Sequence, residues 1–101
     1  MDRDGGMRYG WDEGKRRQNV KSHGVDFTAV YRFEWQHAVV KIDDRESYGE
    51  LREQATGFIG TVPHVLIFTQ RRDEDGDVIW VISLRKANRK ERRDYERAKE
   101  D

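Results

Sequence analysis

No cysteine occurs in the 101 residues, so neither a disulfide framework nor a cysteine-based zinc site can form. That absence suits a reducing compartment, and a cytoplasmic location is expected. No apolar run approaches the ~18 residues of a transmembrane helix, and the polar start MDRDGG lacks the apolar core of a signal peptide; no membrane partner is expected. Net charge is missing as well, because Lys plus Arg and Asp plus Glu both total 20. The balance hides segregation: residues 85–99 carry eight basic side chains against three acidic, while residues 43–53 carry five acids against two arginines. Such separation points to a polyanion partner at the basic end.

Several chemistries are excluded by spacing. His23, His37 and His64 have no zinc-ligand pattern, and there is no glycine-rich phosphate loop or G-x-S-x-G elbow. Asp73, Asp75 and Asp77 begin like a calcium loop, but glycine falls at the fourth place instead of the sixth and Leu84 occupies the twelfth. That stretch reads as a hairpin turn. Neither a metal nor another cofactor is expected.

What is present is 11% aromatic residues and three dense apolar runs in a chain that is 40% charged. A chain of this length forms one domain and buries roughly 60–65% of its unfolded surface. Residues 1–6 are expected to be a disordered extension or alternative-start residues, with the single domain over 7–101. The pattern predicts a helix over 13–22, capped by Asp12 and ended by Gly24, and a second short helix capped by Asp26 with Phe27, Val30 and Tyr31 toward the core. Strands are predicted over 38–42, over 65–70 and over 78–84, with a further short one at 8–11, and from about Arg52 the chain runs through Phe58 and Ile59 to Gly60 as part of the same sheet. Asn88 with Glu91 three residues on forms a capping box for a terminal helix docked by Tyr95 and Ala98. Short connections imply an antiparallel sheet of about four strands with two N-terminal helices and one C-terminal helix, an α+β domain.

Two local arrangements carry chemistry. Lys15, Asn19 and His23 recur every fourth residue, a polar stripe along one side of the first helix with Ser22 adjacent. Arg85 ends a buried apolar strand, where it must find a carboxylate or a ligand. One histidine, a few carboxylates and many arginines suffice to cleave RNA without metal: a base takes the 2′-OH proton, an acid protonates the leaving 5′-oxygen, and cations stabilise the phosphorane. His23, Glu50 and Arg85 are candidates for those roles.

The strings YGWDEGKRRQNVKSHGVDF, DDRESYGELR, GFIGTVPHVLIFTQR and VISLRKANRKERRDYERA, in this order and spacing over residues 7–98, resemble the BrnT toxins of bacterial type II toxin–antitoxin systems. The resemblance implies a RelE-like fold and an endoribonuclease that arrests translation and growth. It further implies a cognate BrnA-type ribbon-helix-helix antitoxin, with DNA met only through that complex. Carried over by position, the motif residues are Lys15, His23, Gly24, Asp44, Arg45, Gly49, Glu50, Arg52, Ser83, Arg85, Lys86, Arg89, Arg92 and Tyr95. Of these His23, Glu50, Arg52 and Arg85 are expected to act in catalysis, and Lys15, Arg45, Lys86, Arg89 and Arg92, with Lys21, to bind RNA. Three positions depart from the family: Ser22 stands where lysine usually precedes the His-Gly pair, Trp80 where arginine is frequent, and Leu84 where alanine is usual. Two rival readings use the same residues. One is a catalytically inactive homologue that binds the antitoxin and acts as co-repressor. The other is a direct DNA-binding regulator using the basic terminal helix.

Overall fold

The computed structural model describes residues 7–43 and 49–100, so the expectations for residues 1–6, and for Asp44 and Arg45, lie outside the described residues. The chain forms β1 (Tyr9–Gly10), α1 (Glu13–His23), two 3-10 segments (Phe27–Arg32 and Trp35–His37), β2 (Val39–Asp43), β3 (Arg52–Ile59), β4 (Val62–Asp73), β5 (Gly76–Lys86) and α2 (Arg89–Glu100).

The β4–β5 hairpin is the spine. Its strands are longer than the apolar runs that predicted them, because the ladder continues through polar residues to Asp73 opposite Gly76. The turn closes with Asp73 accepting the Asp75 N–H at 2.9 Å and with Gly76 at φ 118°, a conformation that suits glycine. The sheet order is β1-β5-β4-β3-β2. Two expectations are corrected here. The sheet has five strands, not four, and is mixed: β1 runs parallel to β5, Tyr9 beside Ile79 and Gly10 beside Trp80. Two residues are too few to display an alternation, and β1 owes its place to the β5 edge, where the Ile79 N–H reaches the Arg8 carbonyl at 2.8 Å.

Nor are there two N-terminal α-helices. Asp26 caps its segment as expected, accepting from the Thr28 N–H at 3.0 Å, but the segment is 3-10. With three residues per turn, positions i and i+3 share a side and i+4 swings away. Phe27, Val30 and Phe33 are therefore buried and Tyr31 is 59% exposed, reversing the prediction for Tyr31.

The sheet buries both faces unequally. One carries Ala55, Ile59, Leu66, Phe68, Val81 and Leu84 under Val25, Phe27, Val30 and Phe33, and Trp11 and Trp35 pack against this core. The other holds a smaller cluster of Val65, Ile67 and Ala87, joined by Ile82. α2 crosses part of this second face, docked by Tyr95, whose ring meets Phe58 edge-on and whose hydroxyl donates to the His37 carbonyl at 2.9 Å. Ala98 is exposed.

β1 is fastened from outside the sheet by Arg8, which donates two hydrogen bonds to Asp73 at 3.0 and 2.7 Å. The Arg8 guanidinium, aided by the Asp75 and Gly76 amides, holds the Asp73 carboxyl far down, at about 2. A carboxyl depressed in the folded state stabilises above its unfolded value near ~3.9 and loses that contribution as pH falls through the folded value. Asp73→Asn is expected to flatten the acid-unfolding profile between about pH 4 and 2, read by circular dichroism. A variant whose profile overlays the parent's over that window contradicts the assignment.

Candidate functional site

The open part of the second face is assembled by a backbone irregularity. Trp80 and Ser83 are three residues apart and in a regular strand would point to opposite sides. In β5 the register runs Ile67 to Ser83 and then Phe68 to Val81, leaving Ile82 as an extra residue. This bulge reverses the alternation, so Trp80, opposite Thr69, shares a face with Ser83 and with Arg85, opposite Val65. From β3 the same face receives Gln54 and Arg52, in step with Thr56.

Arg85 finds the carboxylate that its position demands. Its guanidinium forks onto Glu91, both bonds at 2.8 Å, with the two side chains 24% and 20% exposed. Glu91 simultaneously accepts the Asn88 N–H at 2.8 Å while Asn88 Oδ1 accepts the Glu91 N–H at 2.8 Å. The predicted capping box is thus present and has a second role: the group that starts α2 also orients Arg85. Lys86 and Arg89 are exposed on either side of this junction, and Arg92 Nη1 donates to the Ala87 carbonyl at 3.2 Å, bracing the strand-to-helix turn.

The α1 stripe turns toward the same strand. Lys15, Asn19, Ser22 and His23 line one wall of a cleft of about 250 Å³ whose other wall is Ile82 and Ser83. Asp12 caps α1 through the Lys15 N–H at 3.0 Å, and Gly24 ends it at φ 72° with its N–H on the Val20 carbonyl. His23 is consequently fixed in backbone at the helix end and exposed in side chain. Lys21 is exposed outside the cleft lining.

Asn19 was visible only as a member of the polar stripe, yet it is the residue that holds the wall in place. It is buried, and its amide donates to the Val25 carbonyl at 2.9 Å and to the Leu84 carbonyl at 2.7 Å. Its Oδ1 accepts the Leu84 N–H at 3.4 Å. An asparagine side chain reproduces the donor and acceptor of a peptide group, and here it closes the β5 edge beyond the end of β1.

Glu50 and Arg52 lie at the other end of the face. Arg52 stands opposite Asp43, four residues along β3 from the row containing Arg85 and two strands across, on the order of 16 Å at standard sheet spacings. Glu50 receives a forked pair of hydrogen bonds from Arg71 at 2.9 and 3.0 Å. The Arg71 bonds, followed by the charges of Arg71 and Arg52, hold the Glu50 carboxyl below its usual range. Arg71 in turn lies 4.2 Å above the Trp80 ring, a cation–π contact. A guanidinium therefore lies over the Trp80 ring on this face. The four catalytic candidates share one face but form two groups: His23 and Arg85 around Ser83, Glu50 and Arg52 around Arg71. Leu84, the third departure, is fully buried core.

No helix among the described residues is long and apolar enough to cross a membrane. A search of curated proteins finds no match. The family model described as the ribonuclease toxin BrnT of type II toxin-antitoxin systems matches residues 11–91, a span narrower than the resemblance over 7–98 but containing α1, the whole sheet face and the Arg85–Glu91 fork. The match covers most of the chain, from α1 through β5 to the first turn of α2, and the chain belongs to the BrnT family of ribonuclease toxins.

Proposed function

We propose that this chain is an endoribonuclease that cleaves single-stranded RNA without a metal ion, arrests translation and growth, and is neutralised by a BrnA-type ribbon-helix-helix antitoxin in the cytoplasm. The observation that carries the reading is the shared face of Ser83 and Arg85 beside the His23 wall, with Lys15, Lys86 and Arg89 around it. Arg85 neutralises the scissile phosphate and the charge that grows on it. His23, exposed on the wall that faces Ser83, moves the proton. Glu50, whose carboxyl the Arg71 bonds hold below its usual range, is ill suited to donating a proton and weakened as a base; in this reading it fixes Arg71 and, with Arg52, lines the path of the flanking strand. Lys21, Arg45 and Arg92 add phosphate attraction. A balanced cleavage transfers the 2′-OH proton to a base while the 2′-oxygen attacks phosphorus, and a proton returns to the departing 5′-oxygen.

The test is purified protein on single-stranded RNA in excess EDTA. Cleavage at an undiminished rate, leaving a 2′,3′-cyclic phosphate and a new 5′-hydroxyl, is expected. Loss of cleavage on chelation with restoration by a divalent cation overturns the metal-free mechanism. One observation favours the second reading, an inactive antitoxin-binding module: Arg85 and Arg71 are each already engaged by a carboxylate fork. Tight antitoxin binding by folded protein that leaves RNA intact selects it.

A further inference from the structure

We infer that the hollow between α2 and the strands β2 and β3 is a base-binding subsite, which takes a pyrimidine of the RNA strand whose phosphate lies on Arg85. The inference rests on the ribonuclease reading and names the part of the substrate that this face recognises.

The hollow lies on the side of the sheet that carries Arg85 and Ser83. Its floor comes from β3. Thr56 stands in one row with Val65 and Arg85, and Gln54 in one row with Ile67 and Ser83, so each is two strands, on the order of 10 Å, from its counterpart on β5. A single nucleotide bridges such a span from its phosphate to its base. Glu91 joins the two places, lining the hollow while its carboxylate holds the Arg85 guanidinium.

The chemistry of the occupant follows from which groups are already matched. Glu91 is answered by Arg85, and Asp94 by the Lys90 ammonium at 2.8 Å, with Lys41 near enough to help lower its carboxyl. The charges at the mouth are therefore paired and give a simple ion no preferred place. What is left over is neutral. The Gln54 amide and the Thr56 hydroxyl make no hydrogen bond among the described residues, although Thr56 is only 8% exposed and Gln54 is half-buried. No buried side-chain polar atom among the described residues is sealed off without a partner, so both groups open into the hollow that they line. Polar groups at such depth are normally paired. Each of these two can donate and accept, which suits the edge of cytosine or uracil: O2 accepts in both bases, while positions 3 and 4 exchange donor and acceptor between them. Val39 and the ring of Tyr95, whose hydroxyl is already given to the His37 carbonyl, add apolar wall. Size makes the same selection. At the ~10–15 Å³ that one water position needs, a hollow of about 70 Å³ holds roughly five, the room of a six-membered ring with its substituents and too little for the fused rings of a purine.

Cytidine 3′-monophosphate and uridine 3′-monophosphate are the probes, with guanosine 3′-monophosphate for comparison, titrated into the full chain and followed by NMR. Both pyrimidine nucleotides are expected to shift the Gln54 side-chain amide and the Thr56 backbone amide, and to bind at least ~5-fold tighter than the purine nucleotide. Gln54→Leu and Thr56→Val, each close to the parent in volume, are expected to erase that preference while the melting temperature stays within a few degrees and shifts at Arg85 and Lys86 persist. Shifts confined to Arg85 and Lys86, equal binding of all three nucleotides, or a preference that survives both substitutions overturns the inference. Cleavage is scored separately on an RNA of mixed sequence, where a pyrimidine at one position beside the cut bond is expected. RNA cut without base preference removes the subsite and leaves the ribonuclease reading standing. Pyrimidine nucleotides bound at Gln54 and Thr56 by a protein that cuts nothing remove the ribonuclease reading and leave the subsite.

Discussion

Arg85→Ala is expected to lower RNA cleavage by about 10²- to 10³-fold, the usual cost of removing a donor that stabilises developing charge. The expected loss rests on geometry as well as charge. The Glu91 fork fixes the guanidinium on the face that it shares with Ser83, so it meets a phosphate already oriented. The same variant is expected to stay folded, because Glu91 keeps its bond from the Asn88 N–H and α2 keeps its cap; the stability cost is about 1 kcal/mol. Arg85→Lys recovers only part of the activity, since an ammonium cannot fork onto both phosphate and carboxylate. Initial rates on one RNA, with circular dichroism on the same samples, check all three statements. An alanine variant cleaving at the parent's rate removes Arg85 from the site.

The largest stability effect is expected at Asn19, a residue with no assigned role in catalysis. Alanine there leaves the Val25 and Leu84 carbonyls and the Leu84 amide without their partner in a buried place. Unsatisfied buried groups cost ~1–3 kcal/mol each when water cannot reach them, and partial relaxation brings the sum to about 2–4 kcal/mol. For a domain of this size each kcal/mol is worth ~4–8 °C, so the melting temperature should fall by roughly 10–25 °C. Asn19→Asp should be at least as harmful, because an ionised carboxylate would face two carbonyl oxygens it cannot accept from. Thermal melts decide. A melting temperature within a few degrees of the parent's for both variants contradicts the edge-closing role. The consequence for function is direct: loosening α1 moves Lys15 and His23 away from Ser83.

What the sequence made legible was whatever depended on spacing within one element. Asp12 and Gly24 bound α1, Asn88 and Glu91 form the capping box, and the strands of the β4–β5 hairpin lie where apolar runs placed them, each extended into polar residues by a ladder that burial alone does not announce. Arg85 was singled out because an arginine closing a buried strand needs a partner, and Glu91 proved to be one. The residues that escaped were those whose role depends on an element distant in the chain. Asn19 acts on Leu84, 65 residues away, and nothing within α1 distinguishes it from the exposed members of its stripe. The bulge at Ile82 has no composition signal, yet it decides that Trp80, Ser83 and Arg85 share a face. The second N-terminal helix failed for a different reason, a period of three in place of 3.6, which the sequence supports equally through Phe27, Val30 and Phe33. The two-residue β1 was too short to assign a direction. Glu50 is a candidate from its chemistry and Arg52 from the family resemblance, and the sheet register separates both from His23 and Arg85.

The central claim is that this face cuts RNA and that a partner protein stops it. Induced expression in a bacterial host, with and without the antitoxin, while following growth and mapping RNA 5′-ends, tests it most directly. Growth arrest with new 5′-ends, both relieved by the antitoxin, is the predicted result. Well-folded, abundant protein that neither slows growth nor creates new ends contradicts it and leaves the antitoxin-binding module as the function.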